Sequence, residues 1–341
     1  MNKTALIIGS SFFHYNISIS NAFQTLGYQT FIEEYDLPIH PFKGWLKWKH
    51  KFSLNRKKLR EKSYNKYNNY IIEKFNVINP NIVFIFNGNI LQTRTLDHFR
   101  KTAKVILWMF DSLSRYPKSI EHIDHVDAFF CYEKKDVEWY AQQGNTAFFM
   151  PQGYDEKCYF PQKTVKDIDI LFVGLLYGYN KRKQLLTSVV KKFTDKKILI
   201  FGVYKPYYKG ILKWLFREKR KIYQNKNIPP QQVNDYYNRA KVVLNIHHET
   251  QKDGANPKVF EISGARAYQI CDYNPYITSL FPNGEVGLYK NEQELFDLIE
   301  DALQNDKSEN AKKAQEIVLE NHTFLHRLKE MLAILDNSSK V

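Results

Sequence analysis

The stretch richest in residues able to do chemistry is LNIHHETQKDGANPKVFEISGARAYQICD, residues 244–272. Asn256 followed by Pro257 reads as a helix start, because Asn is a favoured cap and Pro a favoured first helical residue. The free N–H groups and the dipole at such a start favour an anion, a phosphate above all. Asp253 and Glu261 stand eight residues apart, one in the loop before the helix and one a turn inside it. A carboxylate at that depth can accept hydrogen bonds from both hydroxyls of a ribose. Taken singly, each residue also fits a capped helix with surface carboxylates. His247, His248 and Glu249 could suggest a metal. Adjacent histidines on a strand point to opposite faces, so only one could reach a ligand and no metal is expected.

A second candidate is Phe172-Val-Gly174-Leu-Leu-Tyr-Gly178-Tyr-Asn-Lys181-Arg182. The glycine turn at Gly174 lets backbone approach phosphates, and Lys181 with Arg182 can neutralise a diphosphate leaving group. The same pattern opens ordinary helices. In the amino-terminal half, Gly9-Ser-Ser-Phe-Phe-His14 forms a loop in which His14 could meet a substrate or do nothing. Trp108-Met-Phe-Asp111 puts a carboxylate at the mouth of a strand, before Ser112, Ser114 and Arg115. Asp111 there can contact an acceptor hydroxyl, act as a base, or cap a helix.

The elements that must hold these residues alternate in the α/β manner. KTALIIGSS, YQTFIEEYD, NIVFIFNG, VILWMFD and DAFFCYE read as strands, with helices over 17–26 and 64–75. The pattern breaks near MPQGYDEKCYFPQ, where prolines and a glycine suit a linker, and then restarts. DIDILFVGLLYG, KKILIFG, VVLNIHH and AYQICDY read as strands, and 291–305 and 308–335 as closing helices. The expected fold class is α/β with two Rossmann-like domains and parallel sheets, ligands lying at the strands' carboxyl ends. The expected domains cover 1–155 and 156–320, with 321–341 a helix packing back across the junction and ending in a polar tail. At 341 residues two cores are the natural expectation.

Charge is unevenly placed. The net charge is +14, yet 43–62 carries nine Lys or Arg against one Glu, and 205–226 carries eight against one. Elsewhere 33 basic residues face 34 acidic ones. Concentrated charge indicates a surface for an anionic partner. Both segments interleave aromatic and aliphatic residues, such as Trp45, Trp48, Trp214 and Phe216, which suits an anionic membrane face. A solvated helix, or nucleic-acid binding, would use the same composition, but no nucleic-acid motif is present. Three scattered cysteines make neither a disulfide framework nor a zinc site. With no long apolar run, a cytoplasmic place is expected, with a peripheral seat on the inner membrane face.

The 244–272 segment resembles the donor-binding signature of glycosyltransferases of the GT-B fold, with a similarity to the CgeB-like group. The matching residues are Asn245, His247, Asp253, Gly254, Asn256, Lys258, Phe260, Glu261 and Asp272. Lys258 stands where Arg is usual and Arg266 where glycine is common. The resemblance implies two domains facing a cleft, with a nucleotide-sugar donor, a UDP- or GDP-sugar, as co-substrate and no other cofactor. It implies that Glu261 holds the donor ribose, that Asp253 lies near the sugar, and that the basic residues after the first strand of the second half meet the diphosphate. The Asp253–Glu261 spacing equals that of retaining relatives, so retention is expected, with a glycan or lipid-linked acceptor in cell-surface glycan assembly. The rival readings are a nucleic-acid-binding protein, a GT-B scaffold without activity and, less so, a sugar-nucleotide epimerase.

Overall fold

Runs rich in Ile, Val, Leu and Phe, mostly buried, make the central strands of the computed structural model, as parallel sheets covered by helices require. The structure describes residues 3–10, 14–35, 55–176, 178–203, 222–224 and 226–338. Most of both basic segments, 43–54 together with 205–221 and 225, lies outside the described residues, as does 11–13 of the His14 loop.

The chain divides into two units, one of Met1–Pro151 with Phe324–Val341 and one of Gln152–Thr323. The first unit contains β1 (Thr4–Gly9), α1 (Tyr15–Thr25), β2 (Gln29–Glu34), α2 (Arg56–Ile78), β3 (Ile82–Phe86), α3 (Thr93–Arg100) and β4 (Lys104–Trp108). Two 3-10 segments, Leu113–Arg115 and Pro117–His125, lead to β5 (Ala128–Cys131), α4 (Lys134–Gln142) and β6 (Phe148–Phe149). All pairings are parallel, in the order β2-β1-β3-β4-β5-β6.

The second unit contains β7 (Ile168–Val173), α5 (Asn180–Lys192), β8 (Ile198–Phe201), β9 (Tyr223–Gln224), α6 (Pro230–Arg239), β10 (Ala240–Asn245) and α7 (Pro257–Gly264). It continues through β11 (Gln269–Asp272), α8 (Pro275–Leu280), β12 (Gly287–Tyr289), α9 (Glu292–Gln304) and α10 (Ser308–Asn321). Its sheet is also wholly parallel, in the order β12-β11-β10-β7-β8-β9. Chain order therefore reverses between β7 and β10. In such a doubly wound sheet the crevice at the carboxyl ends of those two strands is where ligands bind.

The segment read as closing helices over 308–335 breaks at His322-Thr323. Thr323 pairs with Tyr154 in the second unit, and α11 (Phe324–Ser338) belongs to the first. There Phe324, Leu328, Met331 and Leu335 enter the core formed by Ile19, Phe23, Phe84 and Trp108. Among the described residues no helix is long and apolar enough to cross a membrane.

Candidate functional site

The loop after β10 is pinned at both ends by asparagines. Asn245 and Asn256 exchange amide hydrogen bonds, at 3.3 and 3.1 Å, tying the end of β10 to the start of α7. The Asn256 side chain also accepts from the N–H of Val259 at 3.2 Å, so it caps α7 as the sequence leads one to expect. Buried Asn274 donates to the carbonyl of Gly254 at 2.9 Å while capping α8. Asp253, partly buried, sits inside this loop.

On α7, Lys258 and Glu261 are three residues apart and share a face. Glu261 is buried to 2% exposure. A carboxylate so deep needs positive charge or donors nearby. Protein packed around the Lys258 ammonium lowers its pKa; Glu261 opposes that shift and Arg182 adds to it. Buried Tyr237 of α6 has its hydroxyl pKa driven up by burial and then by the charge of Glu261. One carboxylate, two cations and a phenol thus share one electrostatic neighbourhood at the switch point.

Arg182 is the strut of this crevice. Its Nη1 donates to the Leu175 carbonyl at 2.7 Å and its Nη2 to the Ile246 carbonyl at 2.5 Å, linking the loops that follow β7 and β10. The guanidinium stacks over Tyr179 at 4.5 Å. Two donors are spent on backbone, out of five. Lys181, beside it, is largely exposed and lies 3.7 Å from Glu249. The two basic residues therefore differ in kind, one built in and one at the surface.

The glycine turn is set by contact rather than by a left-handed angle at Gly174. Gly174 donates its N–H to Phe201 at 2.9 Å. Gly202, with φ of 154°, lies so close that a side-chain carbon there would fall 1.8 Å from the Gly174 carbonyl oxygen. The site thus requires a glycine at 202 as well, one that the sequence reading does not single out.

His247 lies beyond the end of β10, so the strand argument about adjacent histidines does not apply; its side chain is wholly buried. Its backbone N–H and its Nδ1 both meet Asp272 Oδ1, at 2.7 and 3.0 Å. Burial pushes the Asp272 carboxyl up, but the charge and hydrogen bonds of His247 outweigh it and hold the group below the usual carboxylate range. His248 turns elsewhere, its Nδ1 meeting Thr250 Oγ1 at 2.7 Å. Tyr289, ending β12, has its hydroxyl pKa raised by burial and by Asp272.

Arg266, where glycine is common, proves to be the residue following the α7 cap, in the left-handed region at φ 54°. Arg266 N–H bonds to the Ser263 carbonyl at 2.8 Å and Ala267 N–H to the Ile262 carbonyl at 3.1 Å, which together make a Schellman ending. Its Nε and Nη2 both donate to Gln315 on α10, at 3.0 and 2.8 Å. It locks helix to helix.

In the first unit His14 is exposed, in the left-handed region at φ 68°, immediately before α1. Asp111 does not cap a helix; it pairs with Arg115 at 2.5 Å. Burial raises its pKa despite that partner.

With this geometry in view, the relationships of the chain become informative. Residues 181–333 match the model of a family described as glycosyl transferase-like. Most of the matched stretch lies in the second unit. Its fold is that of GT-B glycosyltransferases, and the sequence resemblance to them is borne out, as is the enzyme class; the match names the wider family and not the CgeB-like group. A sucrose-phosphate synthase from Thermosynechococcus elongatus superposes with a TM-score of 0.69 at 12% identity, over 98% of this chain and 100% of that one. A trehalose 6-phosphate synthase from Burkholderia multivorans gives 0.68 at 11%, over 100% and 99%. HepE of Anabaena, solved with UDP and glucose, gives 0.60 at 11%, over 98% and 100%. No curated protein sequence matches.

Proposed function

We propose that this glycosyltransferase moves a sugar from a nucleotide diphosphate sugar to an acceptor hydroxyl, with the donor held at the β7–β10 switch point. One observation carries the reading: the Asn256-capped start of α7 brings Lys258 and Glu261 into one charged neighbourhood with Arg182, in the crevice where such a sheet binds ligands. Glu261 holds the donor ribose. The N–H groups of α7, with Lys258 and Arg182, meet the diphosphate and offset the charge that grows on it as the sugar leaves. Lys181 reaches the same phosphates from the surface, and the Gly174 turn lets the backbone come close. Asp253 lies beside the sugar and His247 steadies its loop. Asp111 and His14 belong to the acceptor side. A UDP-sugar is the favoured donor, since HepE was solved with UDP and a related structure from E. coli carries UDP-2-fluoro glucose. The spacing of Asp253 and Glu261 favours retention at the anomeric carbon. The acceptor is a glycan or lipid-linked molecule, presented at the inner membrane face in cell-surface glycan assembly.

A thermal-shift series with UDP, GDP, CMP and TDP tests the donor half. A nucleotide at 100 times its Kd adds about 2.7 kcal/mol of stability, so the cognate base stands out. UDP is expected to raise Tm most. No shift with any of the four would return the chain to a scaffold without activity or to a nucleic-acid binder.

A further inference from the structure

The opposite end of the second sheet carries its own concavity. At the amino ends of β7 and β10 a pocket of about 560 Å³ opens between residues 161–166, the turn after α7 and the α9–α10 connection. Its volume is within the 300–1,000 Å³ that small-molecule sites commonly occupy. β7 is six residues long, so roughly 20 Å of strand separates this pocket from the Gly174 turn.

The lining has two characters. Buried Tyr268, Ala302 and Ala311 supply an apolar part. Lys163, Lys166, Lys241, Arg266 and Lys307 supply five cations, against the single carboxylate of Asp306. Asp306 is turned onto the start of α10: its oxygens take the N–H and hydroxyl of Ser308, at 2.9 and 2.7 Å. Behind the wall, Asp169 meets Lys241 at 2.8 Å and Asp301 meets Lys307 at 2.5 Å. Even counting these, five positive groups face three negative ones. Lys166 is exposed, and its ammonium donates to the Ala240 carbonyl at 2.7 Å. Burial lowers its pKa there, and Asp306 only partly restores it. A cation held in that position gains from an anion laid across it.

We propose that this pocket binds a small organic phosphate of sugar-phosphate size, its carbon skeleton against Tyr268 and its phosphate among Lys163, Lys166 and Lys307. The site is separate from the one that takes the nucleotide. It touches Arg266, the residue after the cap of α7, the helix that carries Glu261.

The test is calorimetric titration of ribose 5-phosphate into the full chain, with and without saturating UDP. Binding is expected in both conditions. In the double variant Lys163→Glu, Lys166→Glu it is expected to weaken at least about tenfold, the loss of about 1.4 kcal/mol that one charged contact accounts for. Lys163→Ala, on an exposed side chain, shows a smaller loss in the same direction should the double variant not fold. Absence of binding at millimolar sugar phosphate overturns the proposal. So does binding that UDP abolishes, which would put the phosphate in the switch-point crevice, or binding unchanged in the folded variants. If UDP itself fails to bind, the variants alone still decide the matter.

Discussion

At the scale of single residues, the two basic side chains that open α5 should separate in experiment. Arg182 holds two carbonyls across the crevice, so Arg182→Ala is expected to cost about 1–3 kcal/mol of stability as well as activity. Lys181 is largely exposed and its contact with Glu249 is long. Lys181→Ala should leave stability within about 0.5 kcal/mol of the parent. If its ammonium meets the diphosphate, kcat falls more than KM rises, because the leaving-group charge grows in the transition state. Chemical denaturation and steady-state kinetics on both variants check this. A Lys181→Ala enzyme with normal turnover would return Lys181 to an ordinary helix start.

At the scale of elements, the Gly174 turn depends on its neighbour strand. Gly202→Ala puts a methyl group against the Gly174 carbonyl in a backbone region that L-residues avoid. The variant is expected to lose more than about 1 kcal/mol of stability and to bind nucleotide more weakly, because the turn must move. Gly27→Ala is the control. Its φ is 81° but nothing lies within 4 Å, so it should cost stability alone. Equal nucleotide affinity in Gly202→Ala, by titration, would free the turn from this contact. Much of this level was readable in the sequence. The central strands announced themselves as apolar runs, and Asn256-Pro257 marked the start of α7 by its chemistry. β6, β9 and β12, two or three residues each, give no periodicity to read. The helix-to-helix lock made by the Arg266 side chain was hidden because its partner Gln315 is 49 residues away. For the same reason the sequence named Arg182 as a phosphate ligand but could not foresee its bond to the Ile246 carbonyl, 64 residues on.

At the scale of the whole molecule, charge is the property that the fold does not consume. The described start of α2 exposes Lys57, Lys58, Arg60 and Lys62 with no acidic residue in its first turn. Cations at a helix amino terminus oppose the dipole, so an anionic surface there relieves an unfavourable arrangement. Each basic residue near an anionic membrane contributes about 1 kcal/mol. The protein is therefore expected to sediment with phosphatidylserine vesicles at low salt and to leave them as salt rises. Changing these four residues to Glu should abolish the effect. Equal recovery in the supernatant with anionic and neutral vesicles would contradict it, and salt-sensitive binding to mixed oligonucleotides in place of vesicles would favour a nucleic-acid partner.

The central claim is that Glu261, one turn inside the capped helix of the second unit, grips the donor nucleotide. It is tested most directly by titrating UDP into the wild-type protein and the folded Glu261→Gln variant side by side. The account predicts that UDP binds the wild type and that the variant loses about 1–3 kcal/mol of binding, roughly 5- to 150-fold in Kd. Undiminished UDP affinity in the variant would contradict it.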